Sequence, residues 1–279
     1  MIVQASINNE RYQVALDDAK SIAIPLDFEG EQPNHFGAPA ALSAPIKVGN
    51  FVGDTRAGSS CNCDAITLTP HCVGTHTESI GHILNDRLSV SDCLHDSLIP
   101  CTVITIEPIL ALDAKEQYQP VLDENDKVIS FTSLQKAINQ PAPHQANEFL
   151  QALVVRTTPN PVSKKNQNYN LQHQAPFFTH EAMQYICDLG TQHILVDTPS
   201  IDRMYDDGLL SNHRKFWHVA ANCKQRSNEQ QSNKTITEMI YVNDKIKDGH
   251  YVLNLQCPRW KTDAVPSQPL LYPITPLEN

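Results

Sequence analysis

Runs of aliphatic and β-branched residues alternate along the chain with polar segments. Two alternating runs flank Asn8-Asn9 and predict an N-terminal hairpin over about residues 1–16. Further apolar runs have the length and composition of strands, several of them buried. These predicted strands cover residues 99–110, 150–157, 193–198, 237–242 and 251–256.

One helix is predicted between two of these strands, over residues 179–190. Thr179 can cap its start and Gly190 can end it, while the apolar residues between them lie near one face. They are Ala182, Ile186 and Leu189. Strand, helix and strand in this order predict an α/β layer structure.

Three polar or proline-rich stretches are predicted to lack regular structure. Residues 30–60 are rich in Pro, Gly, Ala and Ser and predict loop over much of their length. Residues 222–236 are almost entirely polar and predict an exposed insertion. The tail after Pro258 is rich in proline, so we expect it to run over the surface.

Composition excludes some classes of partner. The chain has 279 residues, which fits one large or two small domains, and a net charge of −10. That charge argues against a nucleic acid or an anionic membrane as partner, because both require a basic patch. No apolar run approaches the roughly 20 residues of a membrane helix, and the first residues do not resemble a signal peptide. Eight scattered cysteines then predict reduced thiols and a cytoplasmic protein.

The stretch TPHCVGTHTESIGHIL (69–84) concentrates the chemistry, with three histidines, one cysteine and one glutamate but no lysine or arginine. In an extended segment, side chains two apart share a face, so His76 and Glu78 point the same way. His82 follows four residues later and can return to the same pocket. Imidazole and carboxylate together suit zinc or manganese. Ordinary polar residues on a solvated loop are the alternative.

The motif G-T-H-x-[D/E]-x-x-x-H resembles the signature of the cyclase family, which includes bacterial kynurenine formamidases and isatin hydrolases. The resemblance extends along most of the chain, in the same order and at approximately the same distances. It covers VVRTTPN (154–160), HILVDTPSID (193–202), His213 in LLSNHRKFW and Glu238 in TEMIYVND.

The resemblance implies one swivelling β/β/α-type α/β domain over residues 1–279, with a mixed sheet flanked by helices. It also implies one or two zinc or manganese ions, with His82 as the proton-transfer residue. The implied reaction is hydrolysis of an amide C–N bond, in a formamide or cyclic amide, by metal-activated water. A small-molecule substrate and a homo-oligomer are implied as well. The metal ligands carried over are His71, His76, Glu78, His213 and Glu238.

Two other activities remain open at this point. One is a cyclase or lyase reaction of the same family. The other is a metal or ligand binder without catalysis, although the presence of His82 and Glu238 argues against it.

The first ligand departs from the family pattern. The family spaces its first two histidines four apart, whereas His71 and His76 are five apart, and a gapless match places Cys72 at the ligand position. Either Cys72 is the ligand, or a bulge near Gly74 brings His71 back. We favour His71, because a site with carboxylate ligands suits a thiolate less well. Glu78 also replaces the family's aspartate.

Other polar residues carry weaker signals. Turn and capping chemistry is the favoured interpretation of Asp197, Ser200 and Asp202. Arg156 is interpreted as part of a structural ion pair. Two loop residues either line the pocket entrance or are simply exposed, namely His35 and Phe36. Surface positions are expected for His95, His144, His173 and His250.

Overall fold

The fold is built around one large mixed β-sheet. The computed structural model describes residues 1–139 and 147–277. In chain order, the strands are β1 (Ile2–Ile7), β2 (Glu10–Ala15), β3 (Lys20–Ser21), β4 (Asn34–His35), β5 (Leu42–Pro45), β6 (Lys47–Val48), β7 (Phe51–Val52), β8 (Asp64–Thr67), β9 (His76–Glu78), β10 (Ile99–Ile106), β11 (Ile109–Leu110), β12 (Lys127–Ile129), β13 (Ala152–Thr157), β14 (Asn168–Tyr169), β15 (Phe177–Phe178), β16 (His193–Val196), β17 (Thr235–Glu238), β18 (Gly249–Gln256), β19 (Ala264–Pro266) and β20 (Gln268–Pro276).

The helices are few and short. The α-helices are α1 (Val90–Cys93), α2 (Ala111–Ala114), α3 (Phe131–Ile138), α4 (His180–Asp188) and α5 (Ser211–Phe216). The 3₁₀ helices cover Thr55–Ala57, Pro70–Cys72, Ile80–His82, Asn147–Leu150 and Val162–Asn166. Across the described residues, no helix combines the length and the hydropathy that a membrane crossing requires.

Four parallel strands form the middle of the main sheet. Its order is β1-β2-β20-β18-β10-β13-β16-β17-β9-β19, with β3 also paired to β20. Strands β10, β13, β16 and β17 run parallel, and antiparallel strands extend the sheet on both sides. Antiparallel β9 places His76 directly opposite Glu238, the last residue of β17. The sheet therefore brings the motif segment to the carboxyl end of a central parallel strand.

Apolar clusters cover both faces of this sheet, which is why β13 is buried at every position. On one face, side chains of β10, β13, β16 and β17 pack against α3, α4 and α5. The helices contribute Leu134, Ala182, Met183, Ile186 and Phe216 to that cluster, and Trp217 joins them directly after α5. On the other face, strands β18 and β20 contribute Leu253, Leu255 and Leu271.

Several predicted elements are confirmed. The hairpin β1–β2 turns at Asn8 and Asn9, whose positive φ values of 48° and 63° suit a two-residue hairpin turn. Thr179 caps α4 by accepting a hydrogen bond from the Ala182 amide, and Gly190 follows the helix at φ 77°. The predicted α/β class, one domain with a mixed sheet, is confirmed.

The prediction that the tail runs over the surface is wrong, and the prediction of an exposed insertion over 222–236 fails only at its end, since residues 222–233 are exposed or half-buried. The tail after Pro258 forms β19 and β20, in which Val265 and Leu271 are fully buried. The polar stretch 222–236 ends inside β17, where Thr235 and Ile236 are also fully buried. Composition misled in both places, because strand pairing with distant segments decides burial there.

Strand β17 also ends four residues before its predicted end, since Met239 has φ 53°.

Candidate metal centre

Strand β9 turns His76 and Glu78 to the same side of the sheet, as the two-residue repeat requires. His76 Nδ1 donates a hydrogen bond to the Gly74 carbonyl at 3.0 Å. The other ring nitrogen, Nε2, faces Glu238 Oε2 at 3.3 Å. Both His76 and Glu78 are fully buried.

His71 reaches the same cluster through a helical turn. It lies in the 3₁₀ helix Pro70–Cys72, and Gly74 then reverses the chain with φ 77°. The turn accommodates the one additional residue between His71 and His76. The sequence predicts a β-bulge for this purpose. His71 Nδ1 lies 2.9 Å from Glu78 Oε2. Among the described residues, the donor groups that can hold an ion include His71 and do not include Cys72.

Helix α5 delivers His213 from the opposite side. Its Nε2 lies 2.9 Å from Glu78 Oε1 and 3.7 Å from Glu238 Oε1. Its Nδ1 lies 2.6 Å from Asp202 Oδ2, which fixes the ring. Asp202 also accepts hydrogen bonds from the Asn212 amide and the Tyr118 hydroxyl. The turn interpretation of Asp202 is therefore incomplete, because its buried carboxylate orients a histidine of the cluster.

His82 is partly exposed, as His71 is. It ends the 3₁₀ helix Ile80–His82, and its side chain is 26% exposed. Its ring stacks on His71 with a centroid distance of 4.1 Å, and its Nε2 lies 3.9 Å from Glu78 Oε2. Gly81 is required before it, since a Cβ there would lie 2.3 Å from the Leu88 carbonyl oxygen. His82 thus borders both the buried carboxylate and solvent.

Asp263, from the tail, completes the cluster. Its Oδ2 lies 3.0 Å from His71 Nε2, and its Oδ1 accepts hydrogen bonds from Arg87. The sequence holds no signal for this residue, because it lies far from the motif in a segment predicted to run over the surface. The pairing of β19 with β9 brings the two segments together.

The buried groups shift one another's pKa values. Burial would raise the pKa of the Glu78 carboxyl, but His82 and His213 hold it well below its usual range. Burial would lower the pKa of His71, yet Asp263 and Glu78 raise it to about 9. The pKa of His213 is raised in the same way by Glu78 and Asp202, against burial. The carboxylates therefore favour positive charge on His71 and His213, whereas burial, together with these two histidines, lowers the pKa of His82 to about 4.

Unpaired atoms show that the cluster fits a metal ion. Both carboxylate oxygens of Glu78 and Nε2 of His76 are buried without a hydrogen-bond partner. The 2.9 Å contacts of Glu78 with His71 and His213 thus lack the alignment of hydrogen bonds. A buried carboxylate without hydrogen bonds is costly unless a cation compensates it. Protonated His71 and His213, or a metal ion bound by the same ring nitrogens, can supply that charge beside Glu78. Donor atoms within 4.8 Å of one another form the groups His71–His76–Glu78, Glu78–His82–His213 and His71–His82–Asp263.

Residues outside the cluster follow the sequence interpretation in part. Arg156 forms the expected structural ion pair, with Asp248 at 2.8 Å. Asp197 is buried and bonded to Lys164 and Thr157, so it is more than a turn residue. Phe36 is exposed, while His35 is only 4% exposed. His95 and His173 are exposed, His250 is half-buried, and His144 lies outside the described residues.

The sequence matches a protein-family model. The model described as "Putative cyclase" covers residues 20–203 of this chain. The chain belongs to this cyclase family. His71, His76, Glu78 and His82 lie within the matched region, whereas His213, Glu238 and Asp263 lie beyond it. No curated protein sequence matches the chain.

Solved structures share the fold at low sequence identity. One is described as a predicted metal-dependent hydrolase from Bacillus stearothermophilus, with 14% identity, a TM-score of 0.55, and coverage of 91% of this chain and 98% of that chain. Isatin hydrolase A from Labrenzia aggregata, bound to benzyl benzoate, has 14% identity and a TM-score of 0.56, covering 91% and 93%. An isatin hydrolase bound to the product analogue thioisatinate has 12% identity and a TM-score of 0.54, covering 93% of each chain.

Proposed function

We propose that this cyclase-family chain is a metal-dependent hydrolase that cleaves an amide C–N bond in a small molecule. The observation that carries the proposal is the buried Glu78 carboxylate, which lies between His71 and His213. Neither of its two oxygens has a hydrogen-bond partner. Structures with the same fold, described as a metal-dependent hydrolase and as isatin hydrolases, support the reaction class.

Five residues would hold zinc or manganese, one ion or two. His71, His76 and Glu78 form one donor group. The family resemblance combines Glu78 with His213 and Glu238 in a second set, in which His213 Nε2 lies 3.7 Å from Glu238 Oε1. All of these donors are nitrogen or oxygen, which suits either metal. A bound ion would polarise the amide carbonyl and lower the pKa of an attacking water.

His82 is proposed to move the proton. It stands beside Glu78 yet remains partly open, so a substrate and a water can both reach its ring. His82 accepts the proton as water adds to the carbonyl carbon, and returns it to nitrogen as the C–N bond breaks. The products are a carboxylate and a free amine, or one ring-opened molecule from a cyclic amide.

The substrate class, oligomeric state and location are also part of the proposal. An arylformamidase-like or isatin-like substrate fits the family resemblance, and so does a homo-oligomer. A cytoplasmic location fits eight scattered cysteines, all of which are free thiols. Size-exclusion chromatography with light scattering tests the oligomer.

The reaction is tested with aryl formamides and isatin as substrates, zinc- or manganese-loaded protein, and ¹⁸O-labelled water. Hydrolysis places one labelled oxygen in the carboxylate product, whereas a lyase or cyclase reaction does not. Glu78→Gln should abolish turnover, while the exposed Glu229→Gln should leave it unchanged. Unlabelled product, or equal turnover in both variants, contradicts the proposal.

A further inference from the structure

The three histidines proposed as metal ligands do not turn the same ring nitrogen toward the buried carboxylates. In His76, Nδ1 bonds the Gly74 carbonyl and Nε2 faces Glu238. In His213, Nδ1 bonds Asp202 and Nε2 faces Glu78. His71 is reversed, because its Nε2 bonds outward and its Nδ1 lies 2.9 Å from Glu78 Oε2.

Asp263 imposes the reversed orientation of His71. Its Oδ2 lies 3.0 Å from His71 Nε2, and Arg87 Nε donates to its Oδ1 at 3.1 Å. The backbone is fixed as well, since the Ser79 amide donates to the Asp263 carbonyl at 2.9 Å. The Asp263 carboxylate therefore has little freedom to turn away from the ring.

A histidine must be neutral to bind a metal ion, and in neutral His71 a proton on Nε2 that is donated to Asp263 leaves the lone pair on Nδ1. We propose that Asp263 is a positioning residue of the metal centre, and that it makes Nδ1 the metal-binding atom of His71. The inference rests on the metal-dependent function proposed above. It also explains how His71 can be a metal ligand although it lies five residues before His76 and not four. The helical turn directs Nδ1 of its ring, and not Nε2, toward Glu78.

Asp263 is not assigned as a ligand itself, although it lies in a donor group with His71 and His82. Both of its carboxylate oxygens already have hydrogen-bond partners. The oxygens of Glu78, by contrast, have none. Glu78, whose oxygens are without partners, is therefore placed to bind an ion. Asp263, whose oxygens have partners, is placed to orient the His71 ring.

Amide substitutions test which nitrogen binds. The side-chain amide of Asn reaches about as far as Nδ1 of histidine, and that of Gln about as far as Nε2. His71→Asn should therefore retain more zinc affinity than His71→Gln, and at His213 the order should reverse. Zinc affinity is measured by competition with a chromophoric chelator, and circular dichroism checks the fold of each variant.

The second arm tests Asp263 without altering a histidine. Asp263→Asn should weaken zinc affinity by about 10–100-fold while the number of ions per chain at saturation stays the same. The matched control is Asp96→Asn, because Asp96 also contacts a buried histidine, with its Oδ2 3.2 Å from His193 Nε2. That variant should bind zinc as the wild type does.

The outcomes separate the two proposals. A wild-type protein that binds no zinc or manganese contradicts the proposed function itself. If the wild type binds metal, His71→Gln binding at least as well as His71→Asn overturns the assignment of Nδ1. Wild-type affinity in Asp263→Asn overturns the positioning role, and the loss of a whole ion per chain makes Asp263 a ligand instead. In both cases metal binding by the wild type, and with it the proposed function, stands.

Discussion

The motif segment 71–82 and the tail 258–277 contribute to the same site in opposite ways. The motif segment supplies four of the clustered side chains within twelve residues: His71, His76, Glu78 and His82. The tail supplies one, Asp263, but adds β19 beside β9 and β20 beside β18. The side chains that can bind a metal are concentrated in the segment that the sequence motif identifies. The strands that hold this segment in place come from a tail in which no sequence motif marks them. Substitutions in the two regions should therefore fail in different ways.

The largest expected effect is on turnover in the motif segment. His82→Ala should lower turnover by roughly 10²–10⁴-fold, because a positioned proton-transfer group is lost. Metal content and thermal stability should stay near the wild-type values, since His82 is partly exposed. Elemental analysis and amide hydrolysis on the same preparation check this. Loss of metal in this variant would instead make His82 a ligand.

In the tail, the expected effect is on stability. Leu271 of β20 is fully buried in the apolar cluster, so Leu271→Ala should lower the free energy of unfolding by about 2–5 kcal/mol. The exposed Leu42→Ala serves as the control and should change it little. Urea unfolding followed by circular dichroism measures both. An equal effect of the two substitutions would mean that the tail does not pack as the structure shows.

A smaller effect is expected where a carboxylate only orients a ligand. Asp202→Asn should weaken zinc affinity by about 10–100-fold, because His213 loses its fixed orientation. Asp207→Asn, an exposed substitution in the same loop, should not change it. Chelator competition gives both values. Unchanged affinity in Asp202→Asn would return Asp202 to a turn-forming role.

The smallest expected effect concerns the neighbour of His71. Cys72→Ser should leave zinc affinity nearly unchanged, since Cys72 lies outside the donor groups of the described residues. His71→Ala should weaken it by about an order of magnitude or more. If the cysteine variant loses metal and the histidine variant does not, Cys72 is the ligand, as the gapless match to the family pattern places it.

The sequence predicts elements well where the signal is local. Thr179 and Gly190 mark the ends of α4 because capping and left-handed glycine act within a few residues. The motif places His76 and Glu78 on one face for the same reason. The buried part of 222–236 is missed, since Thr235 and Ile236 are buried by pairing with β16 and not by their own polarity.

Part of the site is also beyond sequence reasoning. Asp263 lies 192 positions from His71, and an isolated aspartate in a proline-rich tail has many structural roles. Asp202 did carry a signal, because it lies in the segment 193–202 that resembles the family, yet turn chemistry explains an aspartate there equally well. Burial of its carboxylate against His213 is what distinguishes the two roles.

The most direct test of the metal centre is the metal content of the purified protein, measured by elemental analysis before and after incubation with zinc or manganese. The buried, unpaired oxygens of Glu78 predict one or two ions per chain, and Glu78→Gln should reduce that number. Well under one ion per wild-type chain after incubation would contradict the account.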